Sequence, residues 1–324
     1  MKNITVLSSG LWGTVLTRLL SENGYLVKIW NTQANNDNDQ LINNDRITIS
    51  SSLEDVLSDN TDIIVLAVSI DDLRSVCEQA NDYIKKNNVI IVHTVKGLEK
   101  DSNLRASEVI AQTMTTVQEE DVVSLVGPGY SQNLINHDMT LLTAASDNLF
   151  NAQQIQKIFS NEYLRVYADD DLVGVELAAA LKNVISLSIG IANGLDYSSN
   201  TIAALITRGL SEMARFGQAF GANPITFSGL ASVGDLFLTT LEKKSRNWII
   251  GYKIGKNKNI EEILADKQHL PEGISTVKAV YELSNERNID MPITQAIYDL
   301  LYNRIELNQV IDNLINREEK LEFK

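Results

Sequence analysis

The stretch Leu172–Ala192, LVGVELAAALKNVISLSIGIA, carries only two charged side chains, Glu176 and Lys182, in an otherwise apolar run. It predicts a long buried helix. At 100° per residue from Lys182, Asn193 lies at about 20°, Ser186 at about 40°, Asn183 at about 100° and Glu176 at about 120°. Ala179 and Gly190 fall within the same stripe, and nearly all of the rest is Leu, Val, Ile and Ala. Such a helix suits burial between other elements, with its polar stripe expected to line an internal cleft. A lysine there needs a partner, and desolvation lowers its pKa toward the range useful for proton transfer. A structural ion pair would give the same pattern, so the surrounding chain has to decide.

Upstream of this helix, short apolar strands alternate with helices. Asn3–Leu7 reads as a strand and Ser8-Ser9-Gly10-Leu11-Trp12-Gly13-Thr14 as a turn into a helix through Leu20, with a second strand at Leu26–Trp30. That unit has the size of a mononucleotide-binding half. Gly10 would let backbone approach a pyrophosphate, Gly13 would allow close helix–strand packing, and the helix N-terminus would offer N–H groups to phosphate. Ser8 stands where the fingerprint wants its first glycine. At the end of the second strand, Asn31-Thr32 offers neither the acidic residue typical of NAD sites nor the arginine typical of NADP sites, which leaves both open. A loop is expected over Thr32–Asp45. Helices are expected at Leu53–Leu57, Ile70–Ala80 and Asp147–Phe159, the last capped by Asp147. Further strands are expected at Asp62–Val68, Val89–His93, Val122–Val126, Thr140–Ala145 and Tyr163–Tyr167. The alternation predicts a mostly parallel sheet covered on both faces, with ligands at the strand carboxyl ends, where Ser69, Lys96 and Gly127-Pro128-Gly129 fall.

Asp169-Asp170-Asp171 should cap the buried helix and mark a domain boundary, giving an α/β domain over 1–168 and an all-α domain over 169–324. In the second half, Ile202, Leu205, Ile206, Leu210, Met213 and Phe216 keep helical spacing. Asp235 follows a glycine into a further helix, and Ser245-Arg246-Asn247 opens another in which Arg246 could clamp an anion. Pro271-Glu272-Gly273 breaks the chain, Pro292 opens a last long helical pattern, and Arg317–Lys324 is expected to fray.

Composition narrows the function classes. The chain has 324 residues, 44% of them hydrophobic, and a net charge of −14. That field disfavours nucleic acid and anionic membranes, so a phosphate ligand must meet local basic groups. Two charges inside the apolar stretch argue against membrane insertion. The single cysteine, Cys77, and an N-terminus that leads straight into a strand pattern point to the cytoplasm. Cys77 reads as a core filler, His93 as a strand-end packing or hydrogen-bonding residue. His93, His137 and His269 are too scattered for a metal site.

Several separate motifs, in order along essentially the whole chain, resemble the bacterial NAD(P)-dependent sn-glycerol-3-phosphate dehydrogenases. They are Gly10-Leu-Trp12-Gly13-Thr14, Lys96-Gly97-Leu98-Glu99, Gly127-Pro128, Leu181-Lys182-Asn183-Val184-Ile185, and Asn200-Thr201 with Ala203-Ala-Leu-Ile-Thr-Arg-Gly209. Gly234-Asp235-Leu236, Ser245-Arg246-Asn247, Glu272-Gly273 and Met291-Pro-Ile-Thr294 complete the set. The resemblance implies a Rossmann-like domain followed by a helical substrate domain, and a homodimer. It implies reversible NAD(P)H-dependent reduction of dihydroxyacetone phosphate to sn-glycerol 3-phosphate, supplying glycerophospholipid synthesis. By the same resemblance Lys182 is the general acid/base, completed by Lys96 and Asp235, a grouping able to stabilise and protonate a developing alkoxide. Ser245, Arg246 and Asn247 would hold the substrate phosphate near the backbone of Gly127 to Gly129, with Asn183 and Thr239 as substrate-side neighbours. Leu11, Trp12, Ser131, Arg246, Leu270 and Glu272 match cofactor-contacting positions, beside Gly10, Gly13 and Lys96.

The sequence departs from the family pattern at Ser8, at Asn31-Thr32, at Ser69 in place of a usual proline, and at Gln132-Asn133. The first three bear on cofactor affinity and choice, the last on the cleft wall. Two alternatives follow. A related dehydrogenase acting on another small oxo-acid or oxo-phosphate would not need the Ser245-Arg246-Asn247 clamp, and a nucleotide-binding sensor would bind without turnover.

Overall fold

In a computed structural model, the described residues are 2–31, 44–57, 60–84, 89–256, 259–266, 270–318 and 321–322. Thr32, most of the expected Thr32–Asp45 loop, His269 and part of the expected frayed tail lie outside them. Among the described residues eight strands form one sheet: β1 (Asn3–Ser8), β2 (Leu26–Asn31), β3 (Ile47–Ser50), β4 (Ile63–Ala67), β5 (Ile90–His93), β6 (Val122–Val126), β7 (Thr140–Ala145) and β8 (Leu164–Asp169). Their order is β3-β2-β1-β4-β5-β6-β7-β8, parallel throughout except for the antiparallel β6–β7 pair. β1 and β4 are neighbours, so the chain reverses its direction of travel across the sheet between them, and the crevice above their carboxyl ends is the expected ligand site. The central strands are buried along their whole length, β4 as IIVLA, because helices cover both faces.

Those helices are α1 (Leu11–Glu22), α2 (Leu53–Val56), α3 (Ile70–Asn81), α4 (Ala106–Thr113), α5 (Ser131–Ile135) and α6 (Leu149–Phe159). One apolar cluster gathers Ile4, Leu16, Val65 and Phe159, and another on the other face gathers Leu7, Leu66, Leu73 and Ile110. Cys77 belongs to the second, buried, with its thiol pushed up to about 12 by desolvation.

Beyond Asp169 the described residues form helices only: α7 (Leu172–Gly194), α8 (Ser199–Ala219), α9 (Asp235–Leu241), α10 (Arg246–Gly255), α11 (Ile260–Ala265), α12 (Glu272–Glu286), α13 (Pro292–Leu301) and α14 (Leu307–Ile315), with short 3-10 and π turns at Pro224–Gly234. Asp171 caps α7, its Oδ1 accepting the Gly174 N–H at 2.9 Å. α7 is long and apolar enough to cross a membrane, but 94% of that window is buried inside the fold; α8, α9, α10, α12 and α13 pack around it.

Several expectations need correction. β3 lies where no strand is expected, and α6 is capped by Asn148, whose Oδ1 accepts the Phe150 N–H at 3.2 Å, in place of Asp147. The pattern opened by Pro292 is two helices, broken at residues 302–306, where Arg304 adopts φ 56°. The start of the tail is tethered, Arg317 Nη2 lying 2.6 Å from Asp290 Oδ1. The polar stripe of α7 does not face a single cleft: Glu176 and Gly190 have other neighbours, described below.

Candidate active site

Glycines set the site by letting α7 and α10 touch backbone to backbone. A Cβ on Gly190 would strike the Trp248 carbonyl, and one on Gly251 the Leu187 carbonyl. This contact draws the N-terminus of α10 against the middle of α7. Asn247 Nδ2 then donates to Asn183 Oδ1 at 3.0 Å, while Asn247 Oδ1 accepts the Gly273 N–H at 3.0 Å, and Ser186 Oγ lies 3.5 Å from Ser245 Oγ. Asn183 Nδ2 is buried with no hydrogen-bond partner among the described residues, a donor left for a ligand.

Asp235 follows a π-helical turn, Leu230–Gly234, that delivers its carboxylate to the centre of the site at 2% exposure. Lys96 Nζ lies 2.6 Å and Lys182 Nζ 3.2 Å from the same oxygen, Oδ2. Lys96 also donates to the Gly127 carbonyl at 3.0 Å. Gly127 adopts φ +150°, with Leu141 and Leu142 backbone 3.2 Å from where a Cβ would sit, so only glycine can present that carbonyl. Burial pushes the Lys182 ammonium below the ordinary lysine range; Asp235 opposes this, and the like charge of Lys96 reinforces it. Burial would raise the Asp235 carboxyl, but the two ammonium groups outweigh it and hold it low. Glu272 is pushed up by burial despite Arg246, Lys182 and Lys96 nearby.

A cleft of about 380 Å³ opens at the β1/β4 switch, lined by Gly10, Leu11, Trp12, Lys96, Gly127, Gly129, Ser131, Arg246 and Glu272; of the central group Lys96 lines it, while Lys182 and Asp235 lie buried behind Lys96. Each of these is among the residues named from the sequence; Ser9, Ala67, Thr94, Leu125 and Leu142 line the cleft as well. Others named from the sequence lie elsewhere. Gly13 sits behind the turn, where a Cβ would collide with Ser8. Leu270 lines a separate pocket on the far side of Glu272. Thr239 is buried one turn along α9 from Asp235, its hydroxyl donating to the Leu236 carbonyl at 2.9 Å.

The departures from the family pattern also find places. Ser8 is fully buried and closes on the turn, its Oγ accepting the Gly10 N–H at 3.1 Å and donating to the Gly10 carbonyl at 2.9 Å. Ser69 caps α3, accepting the Asp72 N–H at 3.2 Å. Gln132 is exposed, its amide 3.4 Å from Asn136 Oδ1 along α5.

Sequence reading missed Tyr130, which lines the cleft. Its hydroxyl is buried without a partner among the described residues, and burial, with the negative charges of Asp235 and Glu242, pushes it up to about 12. No motif marks it; only the fold brings it near Asp235 and Glu242.

Known proteins give a consistent comparison. The family model described as NAD-dependent glycerol-3-phosphate dehydrogenase N-terminus matches residues 3–152, and the one described as its C-terminus matches residues 171–312. The glycerol-3-phosphate dehydrogenase [NAD(P)+] of Pediococcus pentosaceus is 41% identical over the full length of both chains, and that of Lactiplantibacillus plantarum 40%, again over both whole chains. Among solved structures, the glycerol-3-phosphate dehydrogenase of Coxiella burnetii superposes with a TM-score of 0.85 at 28% identity, covering 98% of this chain and 99% of its own.

Proposed function

Because the chain belongs to the NAD-dependent glycerol-3-phosphate dehydrogenase family and is an NAD(P)-dependent enzyme of that activity, we propose that Lys182 exchanges the proton at the substrate C2 oxygen, with Lys96 and Asp235 completing its polar centre. The observation that carries this is the convergence of Lys96 and the buried Lys182 on one oxygen of the buried Asp235, with Lys96 reaching into the cleft. During reduction of dihydroxyacetone phosphate, negative charge grows on the C2 oxygen. A buried ammonium opposite it stabilises that charge and then donates its proton; in the reverse direction the neutral amine takes the proton back. Asp235 keeps Lys182 protonated against desolvation, while Lys96 keeps its pKa from rising too far.

The cofactor fits the β1–α1 turn. A Cβ at Gly10 would meet nothing within 4 Å, and α1 starts without a side-chain cap, so Leu11 and Trp12 head the helix with backbone donors for a pyrophosphate. NAD(P)H, when bound, supplies the hydride. Arg246 and the Ser245 and Asn247 side chains at the α10 N-terminus hold the substrate phosphate, which local basic charge makes possible in a chain of net charge −14. Division of labour follows the chain, with residues 1–168 carrying the cofactor and 169–324 most of the substrate contacts. The protein works in the cytoplasm as a homodimer, and its role in lipid synthesis fits the family.

Lys182→Ala should abolish dihydroxyacetone phosphate-dependent oxidation of NADH and NADPH, followed at 340 nm, while leaving the circular dichroism spectrum unchanged. A near wild-type rate in that variant would remove Lys182 from the chemistry.

A further inference from the structure

His93 ends β5 fully buried, three residues before Lys96. Its Nδ1 accepts the Val95 N–H at 3.3 Å, and its Nε2 lies 3.0 Å from Glu176 Oε1 on α7. Since Nδ1 accepts, the ring proton falls to Nε2, which faces the carboxylate at ion-pair distance without an aligned hydrogen bond. Glu176 is 4% exposed and accepts three hydrogen bonds: from Ser107 N–H at 2.8 Å, Ser107 Oγ at 2.7 Å and Arg105 Nη1 at 2.7 Å. Arg105 is shared with Glu119 at 2.7 Å and Glu108 at 3.4 Å. This polar knot therefore joins the end of β5 and the start of α4 to the helix that carries Lys182, about 9 Å farther along its axis.

We infer that His93 and Glu176 are positioning residues for the reaction: they pin the Thr94–Lys96 turn to α7, so that Lys96 and Lys182 converge on one oxygen of Asp235. Two ammonium groups on one carboxylate oxygen repel each other. Lys96, with a quarter of its side chain exposed, would swing toward water if its turn were free. Its departure would leave Lys182 facing Asp235 and Glu272 without the like charge that helps depress it, and the lysine would become a weaker acid. The inference rests on the proposed Lys182 mechanism, and the Lys182→Ala experiment tests that mechanism separately.

The test is the pH dependence of kcat for dihydroxyacetone phosphate reduction in purified full-length protein. His93→Leu removes donor and acceptor together. It should lower kcat by about tenfold or more, leave the cofactor KM within about twofold, and move the alkaline limb upward by about half a pH unit or more. His93→Gln restores an acceptor for Val95 N–H and a donor for Glu176, and should recover both rate and limb. Where His93→Leu does not accumulate as folded protein, Glu176→Gln keeps the shape, weakens the tie, and should show the same upward displacement. A folded His93→Leu or Glu176→Gln with wild-type kcat and an unmoved limb overturns the inference, as does a His93→Gln no better than His93→Leu. A loss of thermal stability alone, with the limb in place, assigns the knot a structural role and also overturns it.

Discussion

Two buried charges on one helix behave in opposite ways. Glu176 accepts three hydrogen bonds, one from Arg105 and two from Ser107, with His93 Nε2 3.0 Å away, and although burial favours its neutral form these neighbours hold it ionised, down to about 2. Lys182, six residues on, has one acceptor among the described residues, Asp235 Oδ2, and must share it with Lys96. A fully compensated charge is fixed in one protonation state and serves as a fastener. An under-compensated one has its ammonium form disfavoured by burial and is the more readily drawn into proton exchange. The same apolar helix thus provides a rivet at one end and a reactive group in its middle.

The largest effect should come from changing the balance at Lys182. Asp235→Asn removes the anion that favours the ammonium, so Lys182 should fall further and the alkaline limb of the reduction move to lower pH. A drop in kcat of about 100-fold or more is expected, as for loss of general acid catalysis. A limb moving upward would reverse the roles assigned to Asp235 and Lys96. Next comes Arg246→Ala, expected to raise the KM for dihydroxyacetone phosphate by about 10- to 100-fold, the scale of a charge-assisted contact. An unchanged KM would remove Arg246 from the clamp.

Glu176→Gln probes the fastener. The folded-state pKa of Glu176 is held at about 2, below the ordinary 4.5. Its contribution to stability is therefore present above about pH 4.5 and lost as pH falls toward 2. The variant should have a lower Tm at neutral pH and a flatter acid limb in a plot of Tm against pH; identical acid limbs would show that Glu176 is not compensated as described. The smallest effect belongs to Ser8→Gly. Freeing the Gly10 N–H for a phosphate should lower the cofactor KM by about a few fold, and a raised KM would mean that the Ser8 hydroxyl organises the turn.

α7, the alternation before it, and the Lys96, Lys182, Asp235 and Arg246 set were legible in the sequence because each writes a local signal: periodicity, a strand end followed by glycine, or a motif that resembles a family. β3 was not, since ITIS has no fully buried residue and therefore no apolar run to read. The antiparallel turn of β7 against β6 leaves periodicity unchanged, so strand direction was invisible. Glu176 was read into the wrong partnership because helical angle reports a direction but not what stands there; His93 and Arg105 arrive from the sheet domain. Tyr130 illustrates the same gap, since only the fold places its buried hydroxyl beside the cleft and near Asp235 and Glu242.

The most direct measurement is the pH dependence of kcat in both reaction directions, over roughly pH 6 to 10. With Lys182 as the exchanging group, reduction falls as pH rises through its depressed pKa, whereas oxidation of glycerol 3-phosphate falls as pH drops through it. Mirror-image limbs are the predicted result. Limbs of the same sense in both directions, or flat profiles in both, would contradict the account.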